Sequence, residues 1–217
     1  ACRNSPSPNF HPTFDSLNSR IMNKETITEI ICILDKSGSM QILQSETIAG
    51  LNQFIEEQKA ESGLCNFSLV QFNQELETTV LRQSIQQVGK LTGSSYQPNG
   101  YTALLDAVGR TLKTAMETHF MLPADQAPDK VLVFIITDGQ ENASLRYSRT
   151  QVATMIQQLQ TNKGWEFQFF GANIDSFSEA QGIGISKDQA DNWDYNKAGM
   201  DGMMKKMGDR AKEVRGK

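Results

Sequence analysis

From residue 27 onward the apolar positions switch between two patterns: short runs without helical period, and stripes three or four residues apart. Ile27–Leu34 is a largely apolar run of the first kind, as expected for a strand covered on both faces. Ser45–Glu61 sets Ile48, Leu51, Phe54, Ile55 and Gln58 at helical spacing, and Gly63 is expected to stop that helix. Cys65–Phe72 and Leu76–Leu81 flank Asn73-Gln74-Glu75, which predicts a hairpin ending in an edge strand. Arg82–Tyr96 has no clear period and reads as a short helix and a loop. After the break at Pro98-Asn99-Gly100, Thr102–Thr118 carries a helical stripe of Leu104, Ala107, Val108, Thr111, Leu112 and Ala115. Lys130–Thr137 is the most apolar run and predicts a central parallel strand.

The alternation continues to the end. Arg149–Asn162 predicts a helix closed by Gly164, Trp165–Phe170 a strand, Ser176–Gln181 a short helix and Asp191–Tyr195 an edge strand. The last helix, Ala198–Val214, aligns Met200, Met203, Met204, Met207, Ala211 and Val214, a stripe expected to dock on the core. Alternating β and α segments with one hairpin imply an α/β fold. The expected form is a doubly wound, Rossmann-like three-layer sandwich with a mostly parallel sheet and one antiparallel edge strand. Residues 1–21 have no period and read as a disordered leader or a non-native extension, since Met22 could serve as a start. Residues 22–217 then form a single domain.

Composition narrows the function classes. The net charge is −4 and there is no Lys/Arg run, so no nucleic-acid partner is expected. No apolar run is long enough to cross a bilayer, and no membrane partner is expected. Cys2, Cys32 and Cys65 are too scattered for a disulfide framework or a zinc site. With no signal-like apolar segment, they point to a cytoplasmic location unless an export signal precedes the chain.

In open parallel sheets ligands bind beyond the carboxyl ends of the strands, and oxygen donors collect there. Asp35-Lys36-Ser37-Gly38-Ser39-Met40 follows the first strand, Thr102 opens a helix, and Asp138 follows Lys130–Thr137. Carboxylates and hydroxyls suit a hard divalent cation. On its own, the first loop also fits a polar strand-to-helix turn in which Asp and Ser cap backbone amides. Both aspartates are expected in loops above the sheet, outside the core.

The strings DKSGSM, GYTALLDAV and IITDGQEN, in this order at strand ends and a helix start, resemble the three metal-site motifs of von Willebrand factor A domains. The likeness extends through Phe170-Gly171-Ala172-Asn173-Ile174-Asp175, as in bacterial members. The resemblance implies a metal-ion-dependent adhesion site in which Asp35, Ser37, Ser39, Thr102 and Asp138 surround one Mg²⁺, with Mn²⁺ or Ca²⁺ as substitutes. It further implies a protein partner that presents an Asp or Glu carboxylate to the metal. The alternative within the family is a non-catalytic accessory subunit of an AAA+ ATPase or chelatase-like complex. Tyr101 stands where many relatives have a small residue; its ring could flank the metal or fold back on the loop. Gln140, Glu141 and Asn142 read as a solvated loop or part of the rim, and Asp106 as an outer carboxylate holding a water or a plain surface group.

An enzyme is not expected. No G-x-S-x-G elbow or P-loop is present, and neither His11 nor His119 is placed as a general base. Gly182-Ile183-Gly184 lacks the rest of a dinucleotide fingerprint.

Overall fold

The computed structural model describes residues 25–216. The leader, with Cys2 and His11, lies outside the described residues. Among the described residues six strands form one sheet in the order β3-β2-β1-β4-β5-β6. These are β1 (Ile27–Asp35), β2 (Leu64–Phe72), β3 (Leu76–Ser84), β4 (Lys130–Thr137), β5 (Glu166–Gly171) and β6 (Ala190–Asn192). All neighbours run parallel except the β2–β3 hairpin. The expected fold is the observed one: an α/β sandwich with a single antiparallel edge.

Among the described residues five α-helices cover the sheet: α1 (Gln44–Ala60), α2 (Leu104–Met121), α3 (Arg149–Lys163), α4 (Ser176–Gly182) and α5 (Lys197–Gly216). Strand alternation divides their cores. Ile30, Cys32 and Leu34 pack with Phe54 of α1 and the methionines of α5, whereas Ile31 and Ile33 pack with Leu112 of α2, Ile156 of α3 and Ala180 of α4. The methionine stripe is buried as expected, each side chain contributing about 1.5–3 kcal/mol by leaving water. Cys32 and Cys65 are free and buried. No helix among the described residues is long and apolar enough to cross a membrane.

Several boundaries move. Gly63 does not close α1: the helix ends at an extended Glu61, and Gly63 (φ 83°) turns the chain into β2. Gly164 caps α3 in the left-handed conformation (φ 65°), and a Ser148–Gln151 capping box opens it. The hairpin's second strand reaches Ser84, and the last edge strand shrinks to Ala190–Asn192. α2 begins at Leu104, so Thr102 sits in the loop just ahead of it.

Candidate metal centre

The carboxyl ends of β1 and β4 lie side by side, with Leu34 opposite Ile136, so their exit loops start from one point. β1 ends in Asp35, fully buried rather than raised into a loop as the sequence implied. One of its oxygens accepts the Ser37 amide at 2.6 Å and the other accepts the Thr137 hydroxyl at 2.6 Å. A 3-10 turn, Gly38–Leu43, then leads into α1. Within it the Ser37 and Ser39 hydroxyls are 3.1 Å apart, and Ser39 donates to Asp138 Oδ1 at 2.8 Å. Since Ser39 has one proton, Ser37 is the donor between the two serines, and a chain of hydroxyls ends on the Asp138 carboxylate.

Thr102 joins this cluster through Gly139. A Cβ at Gly139 would lie 3.0 Å from Thr102 Oγ1 and 3.9 Å from Ser39 Oγ, so the glycine preserves space next to both. The five oxygen-bearing residues singled out from the sequence therefore meet at the top of the sheet. Asp138 Oδ2 is buried and has no hydrogen-bond partner among the described residues. An orphaned carboxylate oxygen at such a place is costly unless something positive shares it.

Electrostatics point the same way. Burial pushes the Asp35 carboxyl up to about 6, with the nearby Asp138 charge adding to it, and Thr137 and Ser37 only partly offset this. Burial also raises Asp138, against the hydrogen bond from Ser39, its own backbone amide and the nearby Tyr195 hydroxyl. Two carboxylates that resist ionisation side by side are what a divalent cation would stabilise. The donors are oxygens alone, matching Mg²⁺ or Mn²⁺ better than the nitrogen and sulfur sets of structural zinc sites. Among the described residues no group of three or more His, Cys, Asp or Glu is placed to hold a metal. The present cluster has two carboxylates, and hydroxyls make up the rest.

Surrounding residues hold the loops in register. The buried Tyr96 hydroxyl donates to the Asp35 carbonyl at 2.7 Å, and Gly38 donates to the Gly100 carbonyl at 3.1 Å. Asn73 bonds both the backbone and side-chain oxygens of Asn99 at 3.0 Å. Tyr195, expected in an edge strand, follows β6 and donates to the Ser39 carbonyl. Gln140 and Asn142 are exposed, as in a solvated loop, but the loop is tied down. Asn142 exchanges bonds with the Thr102 backbone, and Glu141 accepts from Leu105, Ala143 and Ser144. Asp106 is more than a plain surface group, since it accepts the amides of Leu145, Arg146 and Tyr147 at 2.8–3.0 Å. The Tyr101 side chain is exposed, while its amide donates to Gln74.

A family model described as von Willebrand factor type A domain matches residues 29–200. No curated protein sequence matches significantly. Among solved structures, proximal thread matrix protein 1 from the mussel byssus, with zinc in its MIDAS motif, aligns with TM-score 0.61 and 16% identity, over 87% of this chain and 48% of that one. A von Willebrand factor type A protein from Catenulispora acidiphila gives 0.56 and 18%, over 86% and 43%. The manganese-loaded TRAP protein of Plasmodium vivax gives 0.55 and 16%, over 81% and 71%. The chain thus spans about half the length of the first of these structures.

Proposed function

The chain belongs to the von Willebrand factor type A domain family, and on that premise we propose that it is a metal-dependent protein-binding module. Asp35, Ser37, Ser39, Thr102 and Asp138 would hold one divalent cation, Mg²⁺ by preference, and the partner would be a protein offering an Asp or Glu carboxylate. The observation that carries this reading is the unpaired, buried Asp138 Oδ2 at the end of the hydroxyl chain. When bound, the cation supplies an electrophilic position that a partner carboxylate can complete. The chain's own residues do the rest. Asp35, pinned by Thr137 and the Ser37 amide, fixes the direction of the serine loop. Asn142 fixes the Thr102 backbone, and Tyr96 and Tyr195 brace the loop carbonyls.

We propose binding without catalysis. Among the described residues the sole histidine, His119, contacts Glu29 near the opposite end of β1, so the serine hydroxyls have no imidazole base.

Asp138→Ala is the decisive variant, because Asp35→Ala would also strip acceptors from two buried donors. Calorimetric titration of Mg²⁺ and Mn²⁺ into metal-stripped protein is expected to give one saturable site that Asp138→Ala abolishes without loss of fold by circular dichroism. At a hundredfold excess over Kd, the metal should stabilise the wild type by about 2.7 kcal/mol and leave the variant unchanged. Equal metal binding by both proteins would defeat the assignment.

A further inference from the structure

We propose that the metal face continues into a guanidinium subsite formed by Arg110 and Arg146, whose free donors take a second carboxylate from an acidic segment of the partner protein. This rests on the binding reading above and extends it to the partner's sequence chemistry.

A groove of about 420 Å³ starts at Ala103, the residue after Thr102, and is lined by Gln74, Asp106, Arg110, Leu145 and Arg146 among others. It adjoins a trough of about 540 Å³ that shares both arginines and adds Lys113 and Tyr147. The charges facing this surface are Arg110, Lys113 and Arg146 against Glu75, Asp106 and Glu117. Lys113 lies 3.9 Å from Glu117 along α2, and the Asp106 carboxylate is taken by three backbone amides. Arg146 is near enough to Asp106 to help keep that carboxylate ionised. Among the described residues, however, neither Arg110 nor Arg146 forms an ion pair or a side-chain hydrogen bond. The donors of both guanidiniums therefore remain for a ligand, although in charge the pair is matched by Asp106, still ionised beneath its amides, and by Glu75.

The platform is preorganised. Asp106 clamps the backbone of Leu145, Arg146 and Tyr147 onto α2, and Arg110 leaves the same helix one turn later. The Tyr147 ring sits so close to Gly109 that a Cβ there would approach it to 2.5 Å. Leu145 is held 94% exposed at the groove's edge, an apolar contact beside the two cations. Arginine forks match carboxylates in geometry and charge. From Leu104 to Arg110 the helix rises roughly 9 Å, which an extended peptide covers in about three residues. The partner segment therefore carries two acids about three residues apart, one for the metal and one for the arginines. Glu75 at the rim disfavours a phosphate dianion more than a single carboxylate.

The test uses the full chain in Mg²⁺ and a blocked glycine hexapeptide with glutamates at its second and fifth positions, beside versions with either glutamate replaced by glutamine. Affinity and the arginine Nε–H resonances are read by NMR titration. The two-glutamate peptide is expected to bind about tenfold more tightly than either single one, the worth of one charge-assisted contact. Arg110→Gln with Arg146→Gln should erase that gain and keep single-glutamate binding unchanged. An undiminished gain in the double variant, or no gain in the wild type, would overturn the subsite. Repeating the titration in EDTA separates the two readings. Failure of the metal reading removes the Mg²⁺ dependence of the single-glutamate peptides. Failure of the subsite leaves the Arg110 and Arg146 signals unmoved by the two-glutamate peptide in either condition. Inorganic phosphate moving both signals at lower concentration than the peptide would overturn the peptide assignment.

Discussion

Asp106 illustrates how one side chain can turn a loop into a fixed surface. It lies in the first turn of α2, where a negative charge is favoured by the helix dipole, and it collects the amides of Leu145, Arg146 and Tyr147. Burial works against its charge, but those amides, aided by Arg146, outweigh it and hold the carboxyl below the usual aspartate range. A carboxyl depressed in the folded state stabilises above its unfolded value, about 3.9, and that stability is lost as pH falls through the folded value. Asp106→Asn should therefore lower stability at neutral pH by about 1 kcal/mol, discounted for partial exposure. The difference between variant and wild type should close as pH falls through the lowered folded-state value, below which both side chains are neutral. Urea denaturation at several pH values checks this, and a gap that persists undiminished in acid would refute the ionic origin. Hydrogen exchange should show the Leu145–Tyr147 amides losing protection in the variant at neutral pH.

At the level of elements, α2 and the loop after β4 meet through a contact that helix propensity would misjudge. Gly109 lies inside α2, where alanine is ordinarily better by about 1 kcal/mol. Here the added Cβ would meet Tyr147 ring atoms at 2.5–2.8 Å, and overpacking of that kind costs about 1–3 kcal/mol. Gly109→Ala is expected to lower the melting temperature and to loosen the Leu145–Tyr147 amides; a rise in melting temperature would show that Tyr147 swings away freely. Such contacts explain what the sequence could and could not reveal. The hairpin, the methionine stripe of α5 and the five oxygen donors were legible because each is written locally, in a period or at a strand end. Arg82–Tyr96 was not. It continues β3, makes one short 3-10 turn at Ile85–Gln87, and then runs irregularly. Side chains elsewhere hold it: Asn52 bonds the Leu91 backbone in both directions, Gln71 the Ser95 carbonyl and Gln44 the Tyr96 carbonyl. The residues that brace the candidate site were hidden for the same reason. Tyr96, Thr137 and Tyr195 reach partners 61, 102 and 156 positions away. Asn73 alone left a local signal, the Asx turn in which its side chain accepts the Glu75 amide at 2.8 Å.

Across the whole molecule, β1 joins two charged sites of different character. At its carboxyl end Asp35 faces the candidate metal centre. Six residues earlier, about 20 Å along the strand, Glu29 is buried and its Oε2 accepts from Arg82 Nε at 2.6 Å and contacts His119 Nε2 at 3.1 Å. Arg82 occupies the left-handed region (φ 43°), within the register shift that separates the Phe67–Gln83 and Leu69–Val80 pairs of the hairpin, and its guanidinium also donates to the Gln126 carbonyl at 2.8 Å. Its unusual backbone places the charge where it neutralises Glu29 and ties the edge strand to the loop after α2. Removing it strands a buried carboxylate, which typically costs 3–5 kcal/mol; with His119 still in contact, about 3 kcal/mol is expected for Arg82→Ala. Between the two sites β1 offers only the buried Ile, Cys and Leu side chains of Ile30–Leu34, so no charged or hydrogen-bonding carboxylate, guanidinium or imidazole of the strand links them. Arg82→Ala should therefore reduce thermal stability sharply while leaving the Kd for Mg²⁺ within twofold of wild type, as measured by calorimetry well below the variant's melting temperature. Asp138→Ala should show the reverse, a lost metal site on an intact fold. A parallel fall of metal affinity and stability in Arg82→Ala would mean that the base of the sheet sets the geometry of its top.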